Sequence, residues 1–231
     1  MWLLKSVFKS ALVVVLLVSM SVNALAQNEQ TRTLPQFLFP GFTKGVVIMK
    51  SGVSFSSSLN YNMVDEIMVT ELNGAYRYAT RPQDIDTIFL ENRKFVPFEK
   101  IFYEVLLSGP APFFLQNKSL YTPIGSPVGY GMKSQSVGNT KFSRYEMGSV
   151  VYQYNDVVYI DLPPNVTVTP ASVNWVRKNN TMEKFANERQ LLKIFPEKEI
   201  QLKEFFKREK PDMKDREDLI KLGKYCNELM K

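Results

Sequence analysis

The stretch K-G-V-V-I-M-K-S-G-V-S-F-S-S-S-L-N-Y, residues 44–61, decides the fold class. Its first half is a compact β-branched run. In the second half Val53, Phe55, Leu59 and Tyr61 share one parity, and serines fill most of the other. A period of two marks a half-buried strand, and Ser51-Gly52 between the halves supplies a hairpin turn. The pattern repeats downstream. E-I-M-V-T-E-L (66–72) runs into Asn73-Gly74, where both positions tolerate positive φ, and A-Y-R-Y-A-T returns from it. I-D-T-I-F-L (85–90) and K-F-V-P-F (94–98) flank a turn at Glu91-Asn92-Arg93, and K-I-F-Y-E-V-L-L (100–107) follows. These segments predict an α+β chain, mainly β. They form an antiparallel partial barrel or sandwich over residues 44–170, followed by a small C-terminal helical appendage.

Adjacent carboxylates, Asp65 and Glu66, interrupt the strands inside S-L-N-Y-N-M-V-D-E-I-M-V (58–69). Successive strand side chains point to opposite faces, so the two cannot serve one reacting centre. At the mouth of a turn both are expected in water, with nothing to set their pKa values apart. The pair reads as a polar turn.

From Ser108 to Gly148 the chain is rich in glycine and proline: G-P-A-P, T-P-I-G-S-P-V-G-Y-G, S-V-G-N-T. This composition predicts loops or irregular edge strands, the first place to seek a binding surface. Strands resume in S-V-V-Y-Q-Y and D-V-V-Y-I-D-L, joined at Asn155-Asp156, and P-P-N-V-T-V-T-P closes the β region. Tyr152 and Tyr154 share a strand face there. They either pack across strands or offer a platform to a sugar or peptide.

From Thr181 the pattern reads as helical. T-M-E-K-F-A-N-E-R-Q-L-L-K-I-F stops at Pro196, and an amphipathic segment runs from there to Pro211. In the last helix Leu219, Leu222, Cys226 and Leu229 fall three and four apart on one face, with Asp215 placed as the N-cap. Such a stripe either packs on the strands or docks a partner. Tyr152, Tyr154, Leu219, Leu222 and Leu229 are therefore the candidate interaction residues.

The N-terminus speaks to compartment. Lys5 and Lys9 precede an apolar run from Ala11 to Val18, and A-L-A occupies 24–26. This is the form of a secretory signal cut between Ala26 and Gln27. The run is shorter than the roughly 20 residues that span a bilayer, and no later segment is long and apolar enough to do so. The expected organisation is a signal peptide at 1–26, an extended segment at 27–43, the β-rich domain at 44–170 and the helices at 181–231.

Composition narrows the chemistry further. The net charge is +6, with basic residues interspersed among acids, so no nucleic-acid partner is expected. Cys226 stands alone, which excludes an intramolecular disulfide. Histidine is absent. Ser-His-Asp and Cys-His catalysis are thereby excluded, and most transition-metal sites lose their usual ligands. The one S-x-x-K string, Ser6 to Lys9, lies in the signal segment. Gly129-Tyr130-Gly131 lacks the third glycine of a dinucleotide fingerprint. Asp84, Asp86, Asp156 and Asp161 are carboxylates of the type a glycosidase pairs, although the spacing selects no two of them. No catalytic residue, metal or cofactor is predicted.

K-G-V-V-I-M-K-S-G, L-N-Y-N-M-V-D-E-I-M-V, D-I-D-T-I-F-L-E-N-R-K-F-V-P and E-D-L-I-K-L-G-K-Y-C-N together resemble a group of uncharacterised exported proteins of Bacteroidota. The resemblance covers roughly residues 40–107 and the C-terminal helices. It implies a Gram-negative cell envelope, periplasmic or outer-membrane-associated, and a β-rich fold; it carries over no catalytic residue. The expected function is non-enzymatic binding or assembly with an envelope protein. The alternatives are a module for sugar or peptidoglycan fragments and, behind it, a carboxylate-based hydrolase. An open aromatic groove would favour the sugar module, and two buried facing carboxylates the hydrolase.

Overall fold

The computed structural model describes residues 34–79, 81–123, 127–128, 132–133, 157–158 and 166–230. Its strands in chain order are β1 (Thr43–Met49), β2 (Ser54–Asn62), β3 (Ile67–Leu72), β4 (Ala75–Tyr78), β5 (Ile85–Leu90), β6 (Arg93–Phe98), β7 (Ile101–Leu107) and β8 (Phe113–Gln116). They continue with β9 (Ser119–Pro123), β10 (Pro127–Val128), β11 (Met132–Lys133), β12 (Val157–Val158), β13 (Val166–Pro170), β14 (Val173–Lys178) and β15 (Thr181–Phe185). Three helices follow: α1 (Glu188–Ile194), α2 (Glu199–Glu209) and α3 (Arg216–Glu228). Eleven strands form one sheet in the order β12-β4-β3-β2-β1-β5-β6-β7-β8-β14-β15, with antiparallel neighbours throughout. Two small ladders, β9 with β13 and β10 with β11, stand beside it.

Local turn chemistry sets the meander. Asn73 and Gly74 take φ of 53° and 75°, the primed turn that matches strand twist, and Glu91 takes 52° between β5 and β6. At Gly45 a side chain has no room, because a Cβ would lie 2.8 Å from Leu59 Cδ1 and 2.9 Å from the Phe89 carbonyl. Glycine there lets Leu59, Leu90 and the Phe89 carbonyl close over the β1 backbone.

The first seven strands curl into a partial barrel around Val47, Leu59, Tyr61, Met68, Ile88, Leu90, Phe95 and Phe102. The Tyr61 and Phe95 rings stack at 5.6 Å. The curl brings the entrance of β3 to β7, where the Phe102 amide donates to the Glu66 carbonyl at 3.2 Å. The Tyr61 hydroxyl donates to the Phe102 carbonyl at 3.0 Å. Among the described residues no ladder closes the barrel.

The sheet continues past the curl, and the helices cover one face of that second half. Leu106, Phe113, Leu115, Val176 and Phe185 from the strands meet Leu191, Leu202, Phe205, Phe206, Leu219, Leu222 and Cys226 from the helices. Asn227 fastens α3 to the loop after β7: its amide group donates to the carbonyls of Ala111 and Gly223 and its oxygen accepts from the Ala111 amide, each at 2.9 Å. Asp215 caps α3 through the Asp218 amide at 2.9 Å, as its position predicts. Lys210, at φ 46°, ends α2 just before Pro211.

The small set of C-terminal helices follows the strands as expected, and their apolar faces make a single core with them. Two expectations need correction. Residues 181–185 form β15 and not a helix: Asn179 and Asn180 both take left-handed φ and turn the chain back onto β14. Pairing with β14 overrides the helix preference of Glu183 and Lys184, and the β domain therefore runs past 170 to Phe185. The Gly/Pro-rich section also contains a central strand, β8, whose four residues are all buried.

Candidate functional site

The face of the second half-sheet opposite the helices is open. Residues directly opposite each other in antiparallel strands share a face, and the registers build one row across eight strands. The row runs Ser56, Val46, Phe89, Lys94, Val105, Phe114, Trp175, Lys184. Beside it, Val96 opposes Tyr103 and Arg177 opposes Met182. Phe98 is 51% exposed, Phe89 43% and Val46 39%, high values for rings and branched chains on a sheet.

A depression of about 540 Å³ lies on this face, lined by Lys94, Val96, Phe98, Tyr103, Val105, Phe114, Arg177 and Met182, with Lys50 and Asp86 among the charged groups. The rings meet edge to face: Phe98 and Tyr103 at 6.1 Å and 77°, Tyr103 and Trp175 at 6.0 Å and 90°. The Arg177 guanidinium sits 5.8 Å over the Phe114 ring. Lys50, Lys94 and Arg177 outnumber Asp86, so the depression is cationic.

Beneath the rings runs a chain of polar contacts. Trp175 Nε1 donates to Gln116 Oε1 at 2.9 Å, and Gln116 Nε2 donates to Glu66 Oε2 at 2.8 Å. Lys118 Nζ lies 3.3 Å from Glu66 Oε1. Burial raises the Tyr103 phenol, and the charges of Glu66 and Glu99 raise it further.

The solvated reading of Glu66 is thus corrected. It sits in a turn, as expected, but takes φ of 57° and is only 3% exposed. Asp65 goes elsewhere. It accepts from Asn62 Nδ2 at 2.7 Å and from the Tyr78 hydroxyl at 2.5 Å, and burial followed by this carboxylate pushes the Tyr78 phenol well up. The two neighbours share no centre.

A second buried carboxylate, Glu104, is held by Arg216 Nε at 2.6 Å, Asn117 Nδ2 at 3.0 Å and Arg93 Nη1 at 3.3 Å. Gln116, which binds Glu66, and Asn117, which binds Glu104, are consecutive. Consecutive residues of an extended chain point to opposite faces, so the two buried glutamates do not face each other. Asp84 pairs with Arg81 at 3.3 Å, and Asp86 accepts from Thr87 Oγ1 at 2.9 Å. Asp156 and Asp161 lie outside the described residues. Among the described residues no three His, Cys, Asp or Glu side chains gather in a metal-binding group.

Of the interaction residues read from the sequence, Tyr152 and Tyr154 lie outside the described residues, as do Ala26 and Gln27. Leu219 and Leu222 are 1% and 0% exposed, and Leu229 is half-buried against the same core. Leu219 and Leu222 are enclosed in the core shared with the strands, and Leu229 lies at its margin. The face that is open was missed. Its signal was present in K-F-V-P-F, where Val96 and Phe98 are apolar on the parity opposite Phe95: a strand that is apolar on both faces has two surfaces to cover.

No protein-family profile, no curated protein and no solved structure matches the chain.

Proposed function

We propose that the chain is an exported, non-enzymatic protein of the cell envelope that binds a segment of a partner protein on the open face of its sheet. The observation that carries this reading is the apolar depression on the face away from the helices, lined by the exposed Phe98 and by Tyr103 and Phe114, which are largely buried, with Phe89 and Val46 exposed on the same face. Contiguous exposed apolar surface rimmed by polar groups is what interaction sites present.

Two features favour a protein over a sugar. The rings are edge to face, so they provide no flat platform. The polar groups beneath them, Trp175 Nε1, Gln116 and Glu66, hydrogen-bond one another and point no free set of donors at a hydroxylated ligand. Val96, Val105, Pro97, Pro112 and Met182 between them suit apolar side chains, while Lys94 and Arg177 suit carboxylates. A hydrolytic role finds no support in the carboxylates, since Glu66 and Glu104 sit on opposite faces in separate contacts.

The test is co-purification from native envelopes with the wild-type protein and with Phe98→Ser/Arg177→Glu, both exposed-face changes. The reading expects a partner retained by the first and lost by the second, at equal melting temperature. Equal retention by both would overturn it.

A further inference from the structure

A second binding feature lies at the sheet edge and uses the outward backbone of β15 instead of the side chains of the open face. β15 ends the eleven-strand sheet, and no described residue pairs with its outer side. The two-residue turn at Asn179-Asn180 makes Lys178 and Thr181 a hydrogen-bonded pair. Alternation along an antiparallel ladder then makes Val176 and Glu183 the next such pair, leaving Met182 and Lys184 as non-hydrogen-bonded positions. The Arg177 amide agrees, since it donates away from β15, to the Pro112 carbonyl at 3.0 Å. Met182 and Lys184 therefore aim both their amide N–H and their carbonyl outward. The next outward amide, that of Ala186, is taken by Gln190 Oε1 at 2.6 Å, which caps the row at its far end.

A groove of about 640 Å³ runs beside this edge, between Thr181, Glu183 and Lys184 of the strand and Gln190, Lys193 and Ile194 of α1. Edge strands are commonly blunted by proline, inward charge or a covering segment. β15 contains no proline, and its charged side chains stand above and below the sheet instead of across the edge. Lys178 is paired with Glu197 at 2.7 Å. Lys193 on the α1 side of the strand and Lys184 on the opposite face have no ion-pair partner among the described residues, and Glu183 is the one carboxylate of β15.

We propose that β15 is a strand-addition site for an extended acidic segment of another protein, pairing through the backbone of Met182 and Lys184, with acidic side chains set toward Lys184 on one face and Lys193 on the other. Only an extended chain presents N–H and C=O groups at the spacing these four outward groups require, and Lys184 and Lys193 on its two sides favour carboxylates among such chains.

The test selects a random twelve-residue peptide library, displayed on phage, against the purified protein. Enriched peptides are expected to be rich in β-forming and acidic residues. They should slow amide exchange at Met182 and Lys184 by about tenfold or more and leave Glu183, already paired to Val176, unchanged. Met182→Pro removes an outward amide without touching the β14 ladder and should weaken the same peptides about tenfold. Phe98→Ser should not. If Met182→Pro does not fold, the exchange pattern in the wild type decides alone. Peptides that lose binding with Phe98→Ser and keep it with Met182→Pro, or that protect no amide of β15, overturn the proposal. So does a selection that enriches nothing.

Discussion

Replacing Leu222 by alanine separates a core helix from a docking helix. Leu222 is fully buried, within a cluster of Phe113, Val176, Leu202 and Leu219. Truncating a buried leucine removes its transfer energy and leaves a cavity, together costing about 2–5 kcal/mol. At this chain size each kcal/mol lowers the melting temperature by roughly 2–4 °C, so a fall on the order of 4–20 °C is expected. Deleting everything after Pro196 is more severe. It removes six buried apolar side chains (Leu202, Phe205, Phe206, Leu219, Leu222 and Cys226). At about 1.5–3 kcal/mol each, the loss matches or exceeds the roughly 5–15 kcal/mol that hold a domain folded. The truncated chain is expected to lack a cooperative transition. Circular-dichroism melts of both variants against the parent protein decide the matter. A Leu222→Ala protein melting within about 2 °C of the parent, as for a surface change, or a truncation that still melts cooperatively, would refute the shared core.

Three further outcomes follow from particular residues. Burial pushes the Cys226 thiol up to about 12, so a thiol reagent at pH 8 should label the folded protein far more slowly than the unfolded chain. Because the raised thiol stays neutral in the folded state while the unfolded one ionises, its contribution to stability is full below about pH 8.5 and is lost as pH rises toward 12. Glu104→Gln leaves Arg93 and Arg216 without their carboxylate. Breaking a buried pair costs about 3 kcal/mol or more, and urea denaturation should show it as a lower midpoint at unchanged slope. Intact-mass measurement of the native protein should find a chain beginning at Gln27; a retained Met1 would mean that the N-terminal segment is not removed.

Much of the β meander is legible because its turns are local. Ser51-Gly52, Asn73-Gly74 and Glu91-Asn92 each declare a reversal from two residues, and alternation between them fixes which side chains go inside. Legibility fails where partners are distant. Glu66 looks solvated because its burial depends on Gln116 and Lys118, about fifty residues on. The stripe of Leu219, Leu222 and Cys226 says that α3 is covered but not by what; the answer, Phe113 and Val176, comes from strands far upstream. The Asn179-Asn180 reversal is readable in principle, yet the helix-favouring residues after it hide β15. The open face exists only through register. Phe89, Lys94, Val105, Phe114 and Trp175 become neighbours through ladders spanning eighty-six residues of chain, and no local window contains them.

The central claim is that a partner sits on the open face and not on the helices. Site-specific photo-crosslinking in growing cells tests it, with a photoreactive residue placed at Phe98 on the open face or at Ile200 on α2, which is 74% exposed. The account predicts a discrete higher-mass adduct from position 98 that Arg177→Glu abolishes, and none from position 200. An adduct from position 200 alone, or none from position 98, would contradict it.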